Sequence, residues 1–263
     1  MRENHLLSAL RAGRQCIGVW LSLANAYTAE SLAQLGFDYA CVDLQHGLLD
    51  YQDLTYMLPA ISTSNTVPLV RVPWNEPYEI MKALDAGAYG VIVPLVNTPE
   101  DAARAVAACR YPPVGNRSFG PIRAALYGGK GYAAEANGQI ACLAMIETEE
   151  GLANVEAIAA TPGLDGIYVG PSDLALALGL PPAGDTQDAS HLTALGRIQE
   201  AGRQAKVAVG IHTSSVEYCR QRLEAGFDFA TLGSDAGFMT RTAASELAAA
   251  RGHAKREQEN TGY

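Results

Sequence analysis

Apolar residues in this chain come in eight short runs, with stretches of helical apolar spacing between them. The runs cover residues 16–21, 39–44, 67–72, 90–95, 142–146, 166–169, 207–211 and 229–232. None alternates apolar with polar positions, so each reads as a strand buried on both faces, as in a parallel sheet. Helices are predicted over 5–13, 28–35, 51–62, 77–86, 98–109, 149–160, 191–205, 215–225 and 240–251, with short pieces at 132–138 and 174–178. Thr98-Pro99-Glu100-Asp101 is a strong helix start, with a capping hydroxyl, proline in first position and acids in the first turn. Two stretches stay irregular, 111–131 and 181–188. The first is long, rich in Gly and Pro, and carries Arg117 and Arg123, so it is predicted to be a functional loop. Residues 252–263 form a polar tail. Eight strand–helix units in 263 residues predict an α/β fold, a single-domain (β/α)8 TIM barrel. A doubly wound sheet competes, but no Gly-x-Gly-x-x-Gly follows an early strand.

In such a barrel the chemistry sits where the strands end. The polar residues there are Asp43, Gln45, His46, Arg71, Glu147, Ser172, Asp173, His212, Ser234 and Asp235. Glu147 and Asp173 end neighbouring strands. A buried, unpaired carboxylate is too costly to be filler, so the pair is predicted to hold a divalent cation and leave positions open for substrate. The blander account is that each acid caps the helix after it. Arg71 is either an ion-pair partner of Glu147 or an anchor for a carboxylate or oxo group. Asp43, three residues before His46, is predicted to orient that imidazole as a general acid/base. Gly170-Pro171-Ser172-Asp173 opens a helix whose free N–H groups suit a substrate carboxylate. Gln45 joins the substrate-facing set. His212 fits a substrate contact and a packed supporting role equally well. Ser234 and Asp235 fit a helix cap better than an anion cradle. A cation, an Arg and backbone donors around a small acid suit a 2-oxo acid whose enolate they would stabilise. The alternative is a lysine Schiff base, but Lys82, Lys130, Lys206 and Lys255 all lie away from strand ends.

Composition narrows the class further. The residues are 48% hydrophobic and 18% charged, enough apolar matter for one sizeable core, and the net charge is −9. No basic run or basic–aromatic interleaving points to nucleic acid. No apolar stretch approaches membrane-spanning length, and the first residues lack the form of a secretion signal. Cys16, Cys41, Cys109, Cys142 and Cys219 are scattered through mostly apolar runs. They read as reduced core thiols of a cytoplasmic protein.

These residues, in this order, resemble the HpcH/HpaI family of class II pyruvate aldolases. The likeness spans nearly the whole chain. It rests on Val42-Asp43-Leu44-Gln45-His46-Gly47, Val70-Arg71-Val72-Pro73, Leu84-Asp85-Ala86-Gly87-Ala88, Tyr111-Pro112-Pro113-Val114-Gly115-Asn116-Arg117, Ile146-Glu147-Thr148 and Gly170-Pro171-Ser172-Asp173-Leu174. The resemblance implies a barrel that exchanges its last helix between subunits and assembles as a homo-hexamer. It also implies Mg, Mn or Co on Glu147 and Asp173, Arg71 on the pyruvyl oxygen, and His46 with Asp43 as the acid/base. The amides at Ser172 and Asp173 would hold the carboxylate. Leu44-Gln45 stands where the family more often has Gly-Glu, Met145 where it often has Gln, and Asn116-Arg117-Ser118 replaces the commoner Arg-Gly. The expected reaction is reversible cleavage of a 4-hydroxy-2-oxo acid to pyruvate (or hydroxypyruvate) and an aldehyde. Two rivals remain. One is a malyl- or citramalyl-CoA-type thioester lyase, which would need Arg117 and Arg123 for the CoA phosphates. The other is a non-catalytic barrel that binds a 2-oxo acid.

Overall fold

A computed structural model describes residues 1–252; the predicted polar tail beyond them lies outside the described residues. Eight parallel strands close on themselves in sequence order. They are β1 (Cys16–Leu21), β2 (Tyr39–Asp43), β3 (Val67–Arg71), β4 (Gly90–Val93), β5 (Ala141–Ile146), β6 (Gly166–Val169), β7 (Ala208–His212) and β8 (Phe229–Ser234). β2 through β6 are buried at every position, which is why their sequences never alternate. One apolar layer lies between strands and helices, with Val19, Val42, Val70, Val91, Ala144 and Ile167 on the strand side. A second fills the barrel, with Trp20, Tyr39, Leu69, Leu143, Met145, Tyr168 and Phe229. Gly18 makes room for the Tyr39 ring there, since a Cβ on Gly18 would lie 2.2 Å from it. The helix His5–Arg11 closes the barrel's N-terminal end with Leu6 and Ala9, and Asn4 fastens it by donating to the carbonyls of Tyr89 and Gln139.

The (β/α)8 prediction holds, as does the capping box of Thr98 with Asp101. Several boundaries move, these three among them. The helix after β1 starts at Ala26, where Asn25 caps it, rather than at residue 28. The helix after β5 breaks at Asn154 into Glu149–Ala153 and Val155–Ala159. The last helix begins at Asp235, five residues early, because Ser234 caps it by accepting from the Gly237 N–H.

The predicted functional loop at 111–131 is corrected. It holds a helix, Ile122–Gly128, and packs at the N-terminal end of the barrel, away from the strand ends that carry the candidate site. Arg117 is fully buried there, pairing with Asp85 at 2.7 Å and donating to the Tyr132 hydroxyl at 3.0 Å. Arg123 donates to the Ala86 carbonyl and to Ser62 Oγ. All five cysteines are free and buried. No helix among the described residues is long and apolar enough to cross a membrane.

Candidate active site

Register builds the centre of the site. Asp43 and Arg71 are paired positions on β2 and β3, so both side chains leave the same face at the C-terminal ends of adjacent strands. The guanidinium grips the carboxylate with two prongs, Nε to Oδ1 at 2.8 Å and Nη2 to Oδ2 at 2.6 Å. Asp43 Oδ2 also accepts the Trp20 indole N–H at 3.1 Å, and Oδ1 accepts the backbone N–H groups of Gln45 and His46. Burial on its own would raise the Asp43 carboxyl; the Arg71 bonds and charge, with Trp20, hold it below its ordinary value. Burial likewise works against the Arg71 charge, and Asp43 more than restores it.

Two expectations change here. Arg71 pairs with Asp43 and not with Glu147. Asp43 does not orient the His46 ring either: it fixes the His46 backbone, and the exposed imidazole is free of protein hydrogen bonds among the described residues. Asp43 therefore holds the Arg71 guanidinium and the Gln45–His46 backbone in place. Among the described residues Arg71 Nη1 has no protein partner, and it is not sealed from solvent, so it faces the open end of the barrel.

Glu147 follows β5 and is buried. It is not a helix cap, because Thr148 fills that role for Glu149–Ala153. Its Oε1 accepts the N–H of Leu95 at 2.8 Å, while Oε2 has no donor among the described residues. Leu95 adopts a left-handed conformation, φ 53°, to aim that N–H. A non-glycine residue held there marks stored backbone strain, which collects at functional sites. Oε2 lies against Gly170, where a Cβ would come within 2.5 Å. Burial pushes the Glu147 carboxyl up to about 7; the Leu95 N–H pulls it down, the neighbouring Asp173 charge pushes it up, and Arg71 pulls it down. Asp173 itself is exposed, in the first turn of Pro171–Ala177, a helix with no side-chain cap on its free N–H groups. So Glu147 and Asp173 stand close enough to repel, with an unpartnered carboxylate oxygen between buried and open space. That donor set fits a hard divalent cation. Among the described residues no third His, Cys, Asp or Glu joins the pair, which leaves the other positions to water or substrate oxygens.

The remaining predicted residues divide. His212, at the end of β7, packs edge-on against Trp20 (ring centroids 5.0 Å apart), with Nδ1 at 3.4 Å from the Tyr168 hydroxyl. Burial and the Arg71 charge push its imidazole down to about 4, against a smaller upward pull from Asp43. Gln45 Oε1 is sealed from solvent with no partner among the described residues, so its carbonyl does not line the open cavity as expected. Asp235 is spent on structure: it accepts from the Ser22 N–H and hydroxyl and from the Leu23 N–H, tying the end of β1.

Sequence reasoning missed Trp20 and Leu95. Trp20 lay inside an apolar run and looked like core, although its guanidinium contact (Arg71 Cζ 5.0 Å from the ring centroid) and its indole N–H make it a support of the site. The one available signal was a residue that needs a hydrogen-bond partner, one position from a strand end. Nothing in the sequence marked Leu95.

A closed barrel with a bidentate Asp–Arg pair, two facing acids and a free imidazole at its strand ends is the arrangement of a carbon–carbon lyase acting on a small oxo acid. Residues 16–242 match the HpcH/HpaI aldolase/citrate lyase family, and the chain belongs to it. A hydroxypyruvate/pyruvate aldolase of Rhizorhabdus wittichii is 41% identical over 248 residues, covering 94% of this chain and 99% of that one. A 5-keto-4-deoxy-D-glucarate aldolase of Citrobacter koseri is 42% identical over 250 residues, 93% of this chain and 95% of that one. The crystal structure of an HpcH/HpaI aldolase/citrate lyase family protein from Burkholderia cenocepacia superposes with a TM-score of 0.89 at 39% identity, covering 94% and 99% of the two chains.

Proposed function

We propose that this chain is a divalent-metal-dependent aldolase that cleaves 4-hydroxy-2-oxo acids to pyruvate or hydroxypyruvate and an aldehyde, and runs the addition in reverse. The observation that carries it is Glu147: a buried carboxylate with a bare oxygen, pushed up to about 7, beside a second acid and an Arg. Such a group calls for a cation in place of a proton. Glu147 and Asp173 would hold it, and it would supply Lewis-acid polarisation of the 2-oxo group.

The chain's own groups account for the rest. The Ser172 and Asp173 amides, free at a helix start, receive the substrate carboxylate. Arg71 Nη1 receives the 2-oxo oxygen, on which negative charge grows as the bond breaks. His46, held at the rim by its backbone bond to Asp43, takes the proton of the C4 hydroxyl directly or through one water. The C3–C4 pair then moves into the C2–C3 bond, C2=O becomes an enolate oxygen, and C4 leaves as an aldehyde. A proton returned to C3 completes the oxo acid.

The thioester-lyase rival loses its support, because Arg117 and Arg123 are occupied at the opposite end of the barrel. We further propose a cytoplasmic homo-oligomer, a hexamer with an exchanged last helix. Among the described residues that helix, Asp235–Ala250, buries only Asp235, which supports a packing partner in another subunit. Five free, buried thiols suit a reducing compartment. The test of the reaction is release of pyruvate or hydroxypyruvate from 4-hydroxy-2-oxo acids before and after EDTA. Activity should vanish on stripping and return with Mg, Mn or Co; full activity in the stripped protein overturns the reading.

A further inference from the structure

Three buried hydroxyls and the half-buried His212 form a chain through the barrel beneath the site. The Tyr39 hydroxyl lies 2.9 Å from Thr231 Oγ1, Thr231 Oγ1 lies 2.6 Å from the Tyr168 hydroxyl, and that hydroxyl lies 3.4 Å from His212 Nδ1. One run of protons satisfies every group in this chain. The Tyr39 hydroxyl gives its hydrogen to Thr231 Oγ1. Thr231 Oγ1 then passes its own hydrogen to Tyr168, and Tyr168 passes its hydrogen to His212 Nδ1. In this arrangement all three hydroxyl hydrogens meet an acceptor and His212 Nδ1 receives a donor, and buried donors without acceptors are costly. It makes Nδ1 an acceptor, so the proton of the neutral ring sits on Nε2. That nitrogen has no hydrogen-bond partner among the described residues and is not among the atoms sealed from solvent, so it opens into the site. Burial and the Arg71 charge keep the ring neutral.

His212 shares the floor of the site with Arg71. Trp20 touches both, its ring 5.0 Å from the guanidinium carbon and 5.0 Å from the imidazole centroid. The carboxylate and 2-oxo oxygen common to every donor already have partners in Arg71 and the Ser172–Asp173 amides. What one class of donor adds is an oxygen on C3. A neutral N–H beside Arg71 suits that oxygen and does not compete for the carboxylate. We propose that His212 selects the donor: its Nε2–H is given to a hydroxyl on C3 of the 2-oxo acid, favouring hydroxypyruvate-type donors over pyruvate. This rests on the aldolase reading above and names the donor class within it. Tyr168 is a positioning residue, acting through the His212 tautomer.

The test compares hydroxypyruvate and pyruvate as donors with one aldehyde, in kcat/KM and in the Kd of each donor for the magnesium-supplemented protein. In His212→Leu the loss on hydroxypyruvate should exceed the loss on pyruvate by about 10- to 100-fold, the worth of one hydrogen bond to a group built to make it. His212→Gln, which keeps an N–H donor, should recover most of that ratio, and Tyr168→Phe should shift it the same way by less. Nitrogen-15 NMR of the unsubstituted protein should show a protonated Nε2 and a bare Nδ1. Equal losses on both donors, or a bare Nε2, overturn the proposal. Failure of the aldolase reading looks different: the unsubstituted enzyme would turn over neither donor, while the tautomer and the Kd ratio would still decide for or against His212.

Discussion

Of the Arg–Asp pairs built on a buried arginine, two sit at opposite ends of this barrel and do opposite things. Arg71–Asp43 closes the C-terminal end and Arg117–Asp85 the N-terminal end. Both arginines are buried and both lie over aromatic rings, Arg71 on Trp20 and Arg117 on Tyr111 and Tyr132. They differ in what is left over. Arg71 keeps a nitrogen open toward a cavity that also holds two repelling acids and a free imidazole. Arg117 Nε and Nη1 are sealed inside protein with no partner among the described residues. A buried ion pair is therefore no sign of a site by itself; unspent donors facing open space are.

The largest effect expected from this contrast is on turnover. Arg71→Lys keeps a positive charge near Asp43 but loses the planar fork, so kcat/KM should fall about 10²- to 10³-fold with KM and kcat both affected. Arg71→Ala is the poorer probe, because it strands Asp43 in the core and should also unfold the protein. Arg117→Met should do the reverse. Breaking that pair should cost about 3 kcal/mol of stability, read by urea unfolding, while kcat/KM of the protein that remains folded stays within about threefold. A turnover loss in Arg117→Met matching that of Arg71→Lys would erase the distinction.

Next in size is the pH dependence of Glu147. Its carboxyl rises from 4.5 to about 7 on folding, so folding is favoured below 4.5 and that advantage is lost as pH climbs through 7. The span is worth about 3 kcal/mol in the metal-free protein. His212 works the other way: its depressed value removes stability as pH falls from 6.5 towards 4. The difference between the unsubstituted protein and Glu147→Gln isolates the first term. In EDTA, Glu147→Gln should be the more stable protein at pH 8 and nearly equal at pH 4.5. Magnesium at pH 8 should raise the Tm of the unsubstituted protein and leave that of Glu147→Gln almost unmoved. A constant gap across pH would mean that Glu147 is not held protonated by burial.

The legibility of these features in the sequence follows the physics of each. The eight strands could be read because burial on both faces suppresses alternation, and Glu147 and Asp173 stood out because an acid ending such a strand needs a reason. Partner choice was not legible. Whether Arg71 meets Glu147 or Asp43 is fixed by the β2–β3 register, a tertiary fact with no local signature. The same holds for 111–131, where Gly and Pro mark turns but not the end of the barrel on which the turns fall. Leu95 escaped because its left-handed backbone is imposed by its surroundings and not by its residue type.

Trp20 gives the smallest and sharpest test of the comparison. It supports Arg71–Asp43 with one directional bond, indole N–H to Asp43 Oδ2, and with its ring face. Trp20→Phe removes the bond and keeps much of the face. Asp43 still has Arg71 and two backbone N–H donors, so the carboxylate remains charged and the pair intact. The loss should be that of one charge-assisted bond, about 1.5–3 kcal/mol. Part of it should appear in Tm and the rest as a kcat/KM fall of about tenfold, carried by kcat because Arg71 is aimed less well as charge grows on the oxo oxygen. The Arg117 pair has ring faces but no ring N–H, so Tyr111→Phe there should leave kcat untouched. If Trp20→Phe is equally silent in kcat, the indole is packing, and the aim of Arg71 is set by Asp43 alone.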